Sequence, residues 1–177
     1  DTDTDMQPDL VWLKIRADDT HNVYDSVRGA QKRIETSTND AEATDSNGLT
    51  AFGSDGFTLG SGNQANPSSG TAVAWCWKAN GSGSANTDGS INTTATSANT
   101  TAGFSINQWD GSDADGTLGH GLNVAPRFIL IKNQDAAEDW YVYHESMGNG
   151  GKMNLNEANG VSTAADWWQD TSPTTSV

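Results

Sequence analysis

Apolar and polar positions along this chain fall into short runs separated by polar turns, and no stretch keeps a helical period. Leu10-Val11-Trp12-Leu13 follows Pro8 and leads to Lys14. Four bulky residues without polar alternation predict a strand covered on both faces, and a proline suits its start because it cannot donate to a ladder. Strands are expected over residues 10–16, 22–27 and 31–37, joined as a meander. A short helical turn is expected at 41–43, inside an acidic, turn-forming segment. Residues 49–52 and 56–60 read as short strands broken at Ser54-Asp55-Gly56, where Asp-Gly favours a tight turn. Residues 71–78 alternate, with Val73, Trp75 and Trp77 on one face and Ala72, Ala74 and Cys76 on the other. That pattern predicts a strand against a close neighbour, with both tryptophans in the core and Cys76 as a buried, inert thiol. Residues 79–102, rich in Gly, Ser, Asn and Thr, read as a linker or a long surface excursion. A strand follows at 103–109, then an acidic turn at 110–119.

The opening pattern recurs. Pro126-Arg127-Phe128-Ile129-Leu130-Ile131-Lys132 repeats the proline, the apolar run and the lysine at the same spacing. Val23-Tyr24-Asp25 is matched by Val142-Tyr143-His144, and Lys32-Arg33-Ile34 by Lys152-Met153-Asn154. Three matching segments in one order predict a duplicated three-strand unit. The expected organisation is a first unit at 1–79, a linker or crossover at 80–102, and a second unit at 103–177 without counterparts of 57–60 and 73–78. Its core should contain residues 10–15, 73–77, 104–106 and 128–131.

Composition sharpens this picture. Leu, Ile, Val and Phe make up only about 15% of 177 residues and the net charge is −14, a pairing that alone suggests disorder. Seven tryptophans argue against disorder and for an all-β chain with many polar turns. So acidic a chain without a basic cluster is not expected to bind nucleic acid, since phosphate contacts need Lys and Arg. One cysteine excludes an internal disulfide, and no apolar run is long enough to span a membrane as a helix. The chain opens inside an Asp/Thr run without an initiator methionine, so a piece of a longer polypeptide is expected.

Candidate chemistry is sparse. Glu35, Glu42, Glu138, Glu145 and Glu157 lack the evenly spaced partners that a glycosidase pair needs on one strand face. His21, His120 and His144 are far apart in sequence and form no zinc motif. Asp110, Asp113 and Asp115, before Gly116, could supply oxygens to Ca²⁺, as could the alternating Asp1, Asp3 and Asp5. Trp109, Trp167 and Trp168 flank polar turns and are the candidates for a glycan site, where an exposed indole stacks on a sugar ring.

The chain resembles a repeat domain of unknown function found in virion proteins of marine bacteriophages, notably tail-fibre-like ones. The residues that carry the resemblance include Gln7-Pro8-Asp9-Leu10-Val11-Trp12-Leu13-Lys14, Asp25-Ser26-Val27-Arg28-Gly29 and Ser54-Asp55-Gly56-Phe57-Thr58-Leu59-Gly60. Val73-Ala74-Trp75-Cys76-Trp77-Lys78-Ala79 and Gly119-His120-Gly121-Leu122 extend it across most of residues 7–177. The resemblance implies an antiparallel β-sandwich of the jelly-roll, concanavalin-A-like (laminin-G-like) type and a place on the virion surface; it supplies no catalytic residue. A non-enzymatic structural protein of a tail fibre or other external fibre is therefore expected. The alternatives are an adsorption module that binds host surface polysaccharide and a capsid decoration protein. The expected partners are further copies of the chain (a trimer in a fibre) and other virion proteins. No partner nucleic acid or membrane is expected.

Overall fold

The computed structural model describes residues 5–16 and 20–177, and over these the chain is all-β and antiparallel, with only two short 3₁₀ turns. The strands are β1 (Leu10–Ile15), β2 (His21–Asp25), β3 (Lys32–Glu35), β4 (Ala43–Thr44), β5 (Leu49–Gly53), β6 (Gly56–Leu59) and β7 (Ala72–Trp77). They continue with β8 (Thr93–Asn99), β9 (Phe104–Trp109), β10 (Phe128–Ile131), β11 (Tyr141–His144), β12 (Gly151–Asn154) and β13 (Ser162–Thr163). A five-stranded sheet runs β4-β3-β2-β1-β7 and a four-stranded sheet runs β10-β11-β12-β13. Two hairpins, β5-β6 and β8-β9, complete the set.

The duplication holds at the level of register. Val11 lies opposite Tyr24 as Ile129 lies opposite Tyr143, and Trp12 opposite Val23 as Leu130 opposite Val142. The offset is 118 residues in the first strand (129 minus 11) and 119 thereafter (143 minus 24). It continues to the far edge, where Lys32↔Thr44 and Arg33↔Ala43 become Gly151↔Thr163 and Lys152↔Ser162. The Asp45 N–H bond to Gln31 O recurs as Ala164 N–H to Gly150 O, and Gly48 N–H to Asp45 O as Trp167 N–H to Ala164 O. Gly29 and Gly148 both turn with positive φ, 98° and 69°. Lys152 thus corresponds to Arg33, one place from where the matching lysines of the sequence put it.

Alternation puts Val11, Leu13 and Ile15 on one face of β1, all buried. Val11, Tyr24 and Leu49 form the centre of the core, and the β5-β6 hairpin covers it with Phe52, Phe57 and Leu59. The opposite face of β1 is only half-covered, so the strand alternates where its sequence does not. Gly48 has no room for a Cβ because the Tyr24 hydroxyl and the Asp45 carboxylate fill the space.

Asp9 ties three segments together. Its fully buried carboxylate accepts from Ala79 N–H at 2.8 Å and Gly81 N–H at 3.1 Å, and pairs with Lys78 Nζ at 3.1 Å. Burial raises this group's pKa, but the Gln7 amide, Lys78 and the Ala79 N–H more than offset it and leave it below the ordinary value.

Several expectations change. Residues 41–43 form no helical turn; Ala43 and Thr44 pair with β3 instead. Residues 79–102 are not a linker but carry β8, held by polar groups: Asn80 N–H donates to Ser97 Oγ at 2.7 Å and Asn86 N–H to Thr93 Oγ1 at 2.8 Å. Trp75 and Trp77 are not core residues. β7 is an edge strand, and Val73, Trp75 and Trp77 are 45%, 46% and 37% exposed on the face opposite the hairpin. Trp77 stacks on Phe104 at 6.1 Å and Trp12 meets Trp75 edge-on. Phe128 is also exposed, and the rest of β10 is half-buried. Cys76 is exposed, although partial desolvation raises its thiol pKa.

Two outcomes are expected. Because the folded pKa of Asp9 is depressed, its stabilisation is present above the ordinary value of 3.8 and is lost as pH falls through the folded value. Asp9→Asn should lower stability at pH 7 by about 2 kcal/mol and flatten the acid limb of a melting-temperature profile. Cys76 should react stoichiometrically with a thiol reagent in the native chain, faster at higher pH; a thiol reactive only after denaturation would contradict the exposed β7.

Candidate functional site

Equivalent places in the two meanders are filled differently, and the second sheet is the open one. In the first, Arg28 donates to Asp25 Oδ2 at 2.6 Å, Glu42 Oε2 at 3.2 Å, Lys32 O at 3.1 Å and Val23 O at 3.2 Å. The Arg28 and Asp25 side chains are both only 6% exposed. Applying the 119-residue offset, His144, Met147 and Val161 stand where Asp25, Arg28 and Glu42 stand. His144 still caps its turn as Asp25 does, accepting from Ser146 N–H at 3.2 Å. No cation fills the space, and an apolar groove of about 410 Å³ opens over Phe128, Val142, Met147, Met153 and Val161.

The other face of the second sheet gathers aromatic rings. Trp168, in the place of Leu49, meets Tyr143 edge-on at 5.5 Å and donates its indole N–H to Gly151 O at 2.9 Å. Trp167 takes the place of Gly48. The Lys152 ammonium sits 4.0 Å from the Trp167 ring and 4.2 Å from the Tyr141 ring, a paired cation–π contact. Tyr141, Lys152, Trp167 and Trp168 line a cavity of about 180 Å³. The Trp167 indole nitrogen is buried there without a hydrogen-bond partner.

Trp167 and Trp168 are therefore brought together, in a 3₁₀ turn rather than on opposite faces of a strand. Trp109 ends β9 opposite Thr93 and does not line their cavity. Asp110, Asp113 and Asp115 are exposed, and among the described residues no three His, Cys, Asp or Glu side chains converge to hold a metal. Asp1 and Asp3 lie outside the described residues. His120 is buried as a clip: its Nδ1 accepts from Leu122 N–H at 3.1 Å, which leaves Nε2 to donate to Thr174 O at 3.1 Å. Tyr141, Lys152 and Met147 carry no motif; only the repeat offset would have pointed to them.

Residues 2–177 match the family model described as "Domain of unknown function (DUF7483)". The chain belongs to that family. No curated protein and no solved structure matches it. A single DUF7483 match thus spans both meanders, the polar hairpin between them and the Trp167–Trp168 turn.

Trp168 does in the second sheet of this DUF7483 chain what Leu49 does in the first. Trp168→Ala should destabilise by about 2–3 kcal/mol, less than a fully buried tryptophan because it is half-exposed. Trp167→Ala should cost under about 1 kcal/mol, a lost cation–π contact. Chemical denaturation of both variants checks the order.

Proposed function

We propose that this DUF7483 chain is a non-enzymatic structural protein of a bacteriophage virion surface, part of a tail fibre or other external fibre. The observation that carries the reading is the repetition of one four-stranded meander in the same register. Units related by a fixed offset can be strung along a fibre, each contacting its neighbours. The likeness of its motifs to tail-fibre-like proteins points the same way. In this reading the sheets close into a concanavalin-A-like jelly-roll sandwich, and copies assemble as a homo-oligomer, a trimer in the fibre. The buried charges support a packing role. Asp9 holds backbone N–H groups, Asp25 and Glu42 hold Arg28, and Tyr24 donates to Asp45 at 3.1 Å. Burial raises the Tyr24 hydroxyl, and the Asp45 charge adds to it.

A second reading rests on the aromatic cavity. Tyr141 and Trp167 present rings, and Lys152 presents its ammonium, to a space of sugar-ring dimensions. On this reading the chain is a carbohydrate-binding module for adsorption to host surface polysaccharide.

Antibodies against residues 5–177 should label the tail or fibres of purified phage particles carrying this sequence in immunogold electron microscopy. Label confined to the head would replace the fibre by a capsid decoration protein, and no label on any particle would sink the virion assignment. Glycan-array binding lost in Trp167→Ala, without cleavage, would select the adsorption module.

A further inference from the structure

The two meanders differ in one more respect, and it specifies a ligand. β1 has neighbours on both sides, β2 and β7, whereas β10, its counterpart, pairs with β11 and with no other described strand. Along β1 the hydrogen bonds divide by parity. Just before the strand Asp9 bonds both ways, its N–H to Trp77 O and its O to Ser26 N–H on the β2 side, and beyond the strand Arg16 N–H donates to Thr71 O on the β7 side. Antiparallel alternation then directs Leu10, Trp12 and Lys14 toward β7. On β10, Glu145 N–H donates to Arg127 O, so Ile129 and Ile131 bond to β11 while the backbone groups of Phe128 and Leu130 point outward. An exposed edge with apolar side chains is a template for another strand. Phe128, 54% exposed, marks how open it is; its counterpart Leu10, beside β7, is half-buried.

We propose that the free edge of β10 is a strand-acceptor site for an extended polypeptide segment built like β7 and running antiparallel to β10. β7 supplies the template. Bulky residues in the places of Trp77 and Trp75 lie opposite Phe128 and Leu130, with the place of Val73 opposite Lys132, and small residues in the places of Cys76 and Ala74 lie opposite Ile129 and Ile131. The charge at the end differs from that of β7. Lys78 meets Asp9 in the first sheet, but the second sheet has Arg127 at that place, its side chain 79% exposed and paired with Glu145 at 3.3 Å, so the incoming segment ends on an acidic residue that gives Arg127 a second carboxylate. The β7 strand of a folded second copy does not fit, because the edge it would use is already paired with β1 through Leu10↔Trp77 to Ile15↔Ala72. The occupant is a segment unpaired along that edge, bound by main-chain hydrogen bonds with alternate side chains giving register.

The probe is a peptide of residues 71–78 carrying Cys76→Ser and Lys78→Asp, added to the full chain and followed by amide hydrogen exchange. At ten times its Kd it should slow exchange at Phe128 and Leu130 by about tenfold and leave Ile129 and Ile131 unchanged. Methylating the peptide nitrogen at Trp75 should abolish the effect, because that N–H faces the acceptor; methylation at Ala74 should preserve it. Restoring Lys78 in the peptide should weaken binding by about two- to fivefold, and Arg127→Asp in the chain should reverse that preference. Protection confined to β7, or none at saturating peptide, overturns the site. So does slow exchange at Phe128 and Leu130 in the chain alone with a doubled mass in light scattering, which would mean a second copy occupies the edge.

Discussion

Val11 faces Tyr24 and Ile129 faces Tyr143, and the rest of each sheet depends on that pairing. A strand has a side-chain period of two, so a slip of one residue would turn Val11, Leu13 and Ile15 to the surface and Leu10, Trp12 and Lys14 into the core. The burial of Tyr24 against Leu49, the reach of Asp9 to Ala79 and the bonds of the far edge all assume this register. Its persistence in the second copy makes every difference between the copies informative. The strand register is the same in both copies, so where strand positions match, what changes is side-chain chemistry.

The clearest change is at Asp25, Arg28 and Glu42, against His144, Met147 and Val161. Burying a guanidinium costs several kcal/mol of desolvation, offset only when its donors are satisfied, and Arg28 satisfies them with two carboxylates and two carbonyls. The cluster fixes where β2, β3 and the segment before β4 meet. Its replacement leaves methionine and valine around an open groove. The same meander is closed and polar in one copy, open and apolar in the other. Two tryptophans in the turn after β13 reinforce the contrast: Trp168 replaces a core leucine and Trp167 a glycine with no room for a Cβ.

Much of the site was not legible along the chain. Tyr141 and Lys152 are eleven residues apart and meet Trp167 only because β11, β12 and the 3₁₀ turn converge. Trp167 and Trp168 could be singled out as adjacent indoles beside polar residues, but their facing depends on the left-handed backbone at Trp168, φ 57°. Trp109 shares their composition and not their place. The oxygen-rich run from Asp110 to Asp115 reads like a Ca²⁺ loop by spacing, yet its carboxylates stay exposed and apart, because sequence alternation alone does not make oxygens converge.

The sequence by itself determined the all-β class, most strand positions, the Asp-Gly turn between β5 and β6, and the duplication, because period-two alternation, turn chemistry and repeated order are local properties. It did not determine which faces are covered. Ala72–Trp77 has the pattern of an interior strand, and only its position at the sheet edge leaves Trp75 and Trp77 in solvent. Residues 79–102 have the composition of a linker, and only the pairing of β8 with β9, together with the Thr93 and Ser97 hydroxyls that hold Asn86 and Asn80, gives them fixed structure. Burial and hydrogen-bond closure belong to pairs of distant segments, so they are decided where those segments meet.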